Sequence, residues 1–169
     1  MTFITIREII DIVIMTLALG YIFSGFAPRT VMAVEDYYRK SRFSLDWKEM
    51  KFAIMITAPA VVLHELGHKF TALALGYSAV FYTSYFGLAI GVFLKVIASP
   101  FIVFIPGYVS IANAPVLQGG IIALVGPLVN LLLWLTATII LKTTKVKRNM
   151  MTLLYLTKRI NGILFLFNM

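Results

Sequence analysis

The only two histidines of this sequence, His64 and His68, stand four residues apart with Glu65 between them, in Val62-Leu63-His64-Glu65-Leu66-Gly67-His68. On a helix that spacing puts them about 40° apart on one face, one turn above the other. Two imidazoles so placed reach one zinc ion at the usual zinc–nitrogen distance of about 2.0–2.1 Å. Zinc brings the pKa of a bound water towards about 7, so hydroxide is available at neutral pH. Glu65 is suited to take the proton from that water as it attacks a peptide carbonyl, and to return it to the leaving amine. The pattern His-Glu-x-x-His on a helix is the metalloprotease pattern. The chain has no cysteine, so thiolate is excluded both as a metal ligand and as a nucleophile.

The helix that must carry these residues is embedded in a membrane. Of 169 residues, 60% are hydrophobic and 13% charged, and the mean hydropathy is +0.92. That leaves too few charges to surface a water-soluble domain. Apolar stretches long enough to cross a bilayer of about 30 Å run over residues 9–27, 52–75, 119–141 and 151–167. The first lacks a small-residue cleavage site, ends at Pro28 and reads as a retained span, with Asp11 near its start at the interface. The segment 77–118 is different. Tyr77, Val80, Phe81, Tyr82, Thr83 and Tyr85 favour extended structure, an apolar piece over 86–105 is interrupted by Lys95 and Pro100, and 105–111 reads as turn plus strand. Open strands are not tolerated in hydrocarbon, so this region is expected to be re-entrant and partly inserted. The expected fold is an all-α polytopic bundle of about four spanning helices, with a short strand-containing region after the zinc helix.

The net charge of +8 gathers in two polar loops, 28–51 and 142–148. No aromatic-basic pattern of a nucleic-acid binder accompanies it, and anionic lipid is the partner such loops suit. His64 lies about twelve residues into its span, roughly 18 Å deep at 1.5 Å per residue. Incidental polar residues are a poor explanation at that depth, where each costs a few kcal/mol and marks a functional candidate.

The chain resembles the site-2 protease family of intramembrane zinc metalloproteases, in particular its prokaryotic members. The resemblance rests on Val62–Phe70 with Leu75-Gly76-Tyr77, on Pro106-Gly107-Tyr108-Val109-Ser110-Ile111, on Gly126-Pro127-Leu128-Val129-Asn130, and on Arg159-Ile160-Asn161-Gly162 with Phe167-Asn168. These motifs extend over residues 62–168 in the family's order. The resemblance implies a prokaryotic cell membrane, one zinc held by His64 and His68, and Glu65 as catalytic acid/base. It further implies that Asn168 assists near the metal, and that strands after the zinc helix hold a membrane-protein substrate in extended form. It assigns the third ligand to an aspartate about eight residues beyond Asn168, where this sequence has already ended. For Gly126 and Pro127 close helix packing or a helix start is the plainer reading, and for Asn130 an interhelical hydrogen bond. The positive-inside rule places both basic loops in the cytoplasm, whereas the resemblance places the start of the zinc helix outside. The expected activity is zinc-dependent endoproteolysis within the membrane. The alternative is an inactive protein of the same fold that binds substrates or partner subunits.

Overall fold

The computed structural model describes residues 3–25, 46–99 and 105–169. Its elements are α1 (Ile6–Phe23), α2 (Trp47–Ala74), β1 (Ala79–Thr83), α3 (Tyr85–Val96), β2 (Gly107–Ile111), α4 (Val116–Thr143) and α5 (Arg148–Phe167). The chain is mostly helical, and α2, α4 and α5 contain apolar runs long enough to cross a membrane. Large apolar side chains stand exposed along them, Leu132 of α4 and Tyr155 of α5 both above 60%. Surface of that kind belongs in lipid. α1 has only 18 residues and carries Arg7, Glu8 and Asp11 among them, so it holds no uncharged run of comparable length.

Each helix start has a local cause. Thr5 and Glu8 form a capping box at α1, Asp46 accepts from the backbone amides of Lys48 and Glu49 at α2, and Ser84 accepts from Gly87 at α3. After Gly76, whose φ of +88° suits a residue without Cβ, the chain leaves α2 and enters β1. β1 pairs antiparallel with β2, Phe81 opposite Val109. Between them α3 has 12 residues and is about 18 Å long, too short to cross the bilayer. The two strands are what the composition of 77–118 predicts, whereas Tyr77 precedes β1 and Tyr85 opens a short helix in the apolar piece; residues 100–104 lie outside the described residues, as does the polar stretch 26–45.

Contacts along the helices give their directions. Glu8 reaches Lys69 near one end of α1 and α2, and Gly20 packs on Met50 and Ile54 near the other, so the two helices are antiparallel. His68 meets Ile122 and His64 meets Asn130, so α4 is antiparallel to α2. Gly162 packs on Trp134 across the short connection 144–147, so α5 runs back along α4 and in the same direction as α2. The core where α1, α2 and the sheet meet is formed by Met15, Leu19, Ile22, Val61, Phe81 and Leu88.

Two expectations change in detail. The basic loop shrinks to 144–147, because Lys142 already belongs to α4 and Arg148 to α5. Asp11 is 2% exposed rather than interfacial: it accepts a hydrogen bond from the Tyr85 hydroxyl at 2.5 Å, and its backbone carbonyl accepts from Thr83 Oγ1. The folded-back strand brings those donors to it, which its position in sequence does not reveal.

Candidate metal centre

The centre lies where α2 faces α4. His64 and His68 stack one turn apart, ring centroids 4.7 Å apart and ring planes at 83°, with their Nε2 atoms 3.1 Å from each other. Nitrogens bound to one tetrahedral zinc at about 2.0–2.1 Å stand roughly 3.3–3.4 Å apart. The imidazoles are therefore close to the spacing a shared ion requires.

Their outer nitrogens are held by α4. His68 Nδ1 lies 2.7 Å from the Ile122 carbonyl oxygen, and a carbonyl can only accept, so Nδ1 carries the proton and Nε2 is left with a bare lone pair. Pro127 belongs to this arrangement. It cannot donate to the carbonyl of Ala123, one residue beyond the carbonyl that Ile122 offers to the histidine. His64 Nδ1 lies 3.0 Å from the side-chain amide of fully buried Asn130.

Two proton arrangements satisfy this geometry. In one, Asn130 Nδ2 donates to His64 Nδ1 and His64 Nε2–H donates to His68 Nε2, a chain that needs no metal. In the other, the amide is turned over, Oδ1 accepts from His64 Nδ1–H, and both Nε2 atoms keep their lone pairs for a shared ion. Amide orientation is an assignment made from the hydrogen-bond network, so both stand on the same heavy-atom positions. In the first, Asn130 Oδ1 is buried without a partner among the described residues. Ligand histidines with the second nitrogen tied to a carbonyl or amide oxygen are the usual outer shell of a zinc site.

Gly126 completes the fit. A Cβ added there would lie 2.3 Å from His68 Nε2 and 2.6 Å from His64 Nε2. The absence of a side chain at Gly126 thus lets both imidazoles pack against the backbone of α4. Glu65 is 9% exposed, and its carboxylate has no hydrogen-bond partner among the described residues, which leaves it available for proton transfer. Comparison with protein-family models, curated proteins and solved structures finds no match. The residues of this chain carry the argument alone.

Among the described residues, no third His, Cys, Asp or Glu joins the pair. Asn168 caps the end of α5, is exposed, and donates its side-chain amide to the Leu164 carbonyl at 2.7 Å. It makes no hydrogen bond to the histidines.

Behind the site lies a polar node that the sequence motifs did not reveal. Lys69, next to His68 and 1% exposed, forms an ion pair with Glu8 of α1. The same Glu8 oxygen accepts from the backbone amide of Phe81 at 2.8 Å, while the other oxygen accepts from Thr5. One carboxylate thus joins α1, α2 and the outer edge of β1. At the opposite end of α1, Lys95 donates to the carbonyls of Tyr21 and Ser24 and to the Ser24 hydroxyl, which ties α3 to the end of that helix.

Proposed function

We propose that this chain forms the core of a zinc-dependent intramembrane endopeptidase of the site-2 protease kind, with α1, α2, α4 and α5 as four spanning helices. The observation that carries the reading is the convergence of two Nε2 atoms whose outer nitrogens are held by Ile122 and Asn130. When bound, zinc supplies an electrophile and makes water acidic. The chain's own residues do the rest. His64 and His68 orient the ion, and Glu65 takes a proton from water as its oxygen bonds to the peptide carbon. Glu65 then delivers that proton to the amide nitrogen as the carbon–nitrogen bond breaks, giving a carboxylic acid and an amine.

Among the described residues, substrate strand addition has one edge whose backbone groups are unpaired. Pairing of Val80 with Ser110 and Tyr82 with Tyr108 is hydrogen-bonded, since Phe81 N–H points away from β2 to Glu8. The outer edge of β1 is therefore closed at Phe81 by a buried carboxylate. The backbone groups of Gly107, Val109 and Ile111 point away from β1 and form the edge of β2 to which an unwound substrate segment would add.

The test is cleavage of a transmembrane substrate by the purified chain in lipid, with zinc content measured alongside. Zinc-dependent cleavage that is lost in Glu65→Gln, with zinc retained, is the expected result. Equal cleavage by that variant would refute the assignment. The second reading is a non-catalytic substrate- or subunit-binding protein, favoured by the described residues supplying only two ligands. It predicts partner binding that persists after His64→Ala and His68→Ala.

A further inference from the structure

A cavity of about 260 Å³ lies between α1, the first half of α2 and α5, away from the histidines. Phe23, Phe52, Ile56, Leu156 and Ile163 give it apolar walls, and Arg159 is its one charged lining residue. Thr57 also lines it, but its hydroxyl already donates to the Ala53 carbonyl at 2.9 Å. Arg159 has no hydrogen bond or ion pair among the described residues. Its neighbour Lys158 lies over the Trp134 ring at 6.0 Å and faces α4 instead. Arg159 is exposed, and a guanidinium unpaired among the described residues on a helix long enough to cross a membrane calls for an anion, since bare hydrocarbon is a costly setting for it.

We infer that this cavity holds one anionic phospholipid, its phosphate on Arg159 and an acyl chain along the apolar walls. Three observations select that occupant. The cavity is lined by helices with lipid-facing surfaces, and about 260 Å³ accommodates part of an acyl chain while the rest of the lipid stays in the bilayer. Arg159 stands eleven residues into α5, about 17 Å from its first residue, and side chains on a helix lean towards its N-terminus. A guanidinium that follows this lean reaches towards the end of the bundle where α2 and α5 begin and α4 ends. That end carries Lys48, Lys51, Lys142, Lys145, Lys147 and Arg148 against Asp46 and Glu49. A basic recess between spanning helices on a basic membrane face suits an anionic headgroup. The inference is independent of the metal centre.

Purification of the full chain from vesicles of equal phosphatidylglycerol and phosphatidylcholine, followed by native mass spectrometry, tests it. One retained phosphatidylglycerol per chain is expected, with phosphatidylcholine at least tenfold rarer. Arg159→Gln should lower that occupancy at least tenfold, and Arg159→Lys should keep most of it, which guards against simple misfolding. Ala53→Leu, which narrows the cavity and leaves every charge in place, should also lower it. A Lys145→Gln/Lys147→Gln control at the rim should retain the lipid. Equal retention by Arg159→Gln, equal retention of the two lipids, or loss in the rim control to the same degree would each overturn the assignment. Displacement of the lipid by an acidic transmembrane peptide with higher affinity would assign the cavity to substrate and overturn it as well.

Discussion

Replacing Gly126 by alanine separates the metal-site reading from simple helix packing. The added Cβ would lie 2.3 Å from His68 Nε2 and 2.6 Å from His64 Nε2, about 1.1 Å and 0.8 Å short of the 3.4 Å at which ordinary contact begins. These neighbours cannot swing away freely, because Ile122 and Asn130 hold their outer nitrogens. Disturbing the groups that orient metal-ligating histidines typically costs up to about 100-fold in metal affinity. We therefore expect zinc affinity, measured by competition with a chromophoric chelator in detergent, to fall about 100-fold, or about 2.7 kcal/mol. Helix propensity favours Ala over Gly by about 1 kcal/mol, which offsets part of the roughly 1–3 kcal/mol of overpacking, so the fold should survive. Gly120→Ala is the control, since nothing lies within 4 Å of a Cβ there. It should bind zinc as the native protein does. Unchanged zinc affinity in Gly126→Ala would refute the placement of the ion between the two Nε2 atoms.

The orientation of the Asn130 amide has its own test. With Oδ1 as acceptor for His64, Asn130→Asp should keep zinc affinity while Asn130→Leu lowers it about 10–100-fold; loss in both variants would favour Nδ2 as donor. Glu8→Gln strands the Lys69 ammonium and should destabilise the protein by about 3–5 kcal/mol in denaturant unfolding in detergent, whereas Glu8→Leu/Lys69→Met together should recover most of that. Equal stability of Glu8→Gln and the native chain would remove the ion pair from the account. Lys95→Met leaves the Tyr21 and Ser24 carbonyls without their shared donor and should cost about 1–3 kcal/mol, with faster amide exchange in α3 as the local sign. Unchanged exchange would show that α3 is held by packing alone.

What was legible in the sequence is what acts over one or two helical turns. His64 and His68 share a face because of their spacing, and apolar runs declare the helices by length. The aromatic and β-branched residues around Phe81 declare a strand. Partners distant in sequence left no such mark. Glu8 and Lys69 are 61 residues apart, and Asn130 lies 66 residues from His64. The acceptor for His68 is a backbone carbonyl of an unremarkable isoleucine. Gly126 read as a packing glycine, because nothing local separates a glycine that admits a helix from one that admits two imidazoles. One signal was available: Ile122, Gly126 and Asn130 repeat the four-residue spacing of the histidines, as facing antiparallel helices require. Asp11 read as interfacial because its partners, Tyr85 and Thr83, arrive only when the strand folds back.

The Glu8 node also bears on how substrate and metal would be brought into register. A strand added to β2 must be fixed relative to the ion, since an error of about 1 Å is costly. β2 takes its position from β1, and β1 is held at Phe81 by the carboxylate that pairs with Lys69. Lys69 directly follows His68, so on the proposed reading the path from the substrate edge to the candidate ligand runs through one buried ion pair and one backbone hydrogen bond. A hydrophobic contact of equal strength would hold the sheet as tightly but would allow it to slide. Opposed charges with a directed amide donor select a single register. On the proposed reading, Glu8→Leu/Lys69→Met should therefore recover stability without recovering cleavage at a single bond. A double variant that cut the same bond as the native protein at the same rate would show that packing alone sets the register.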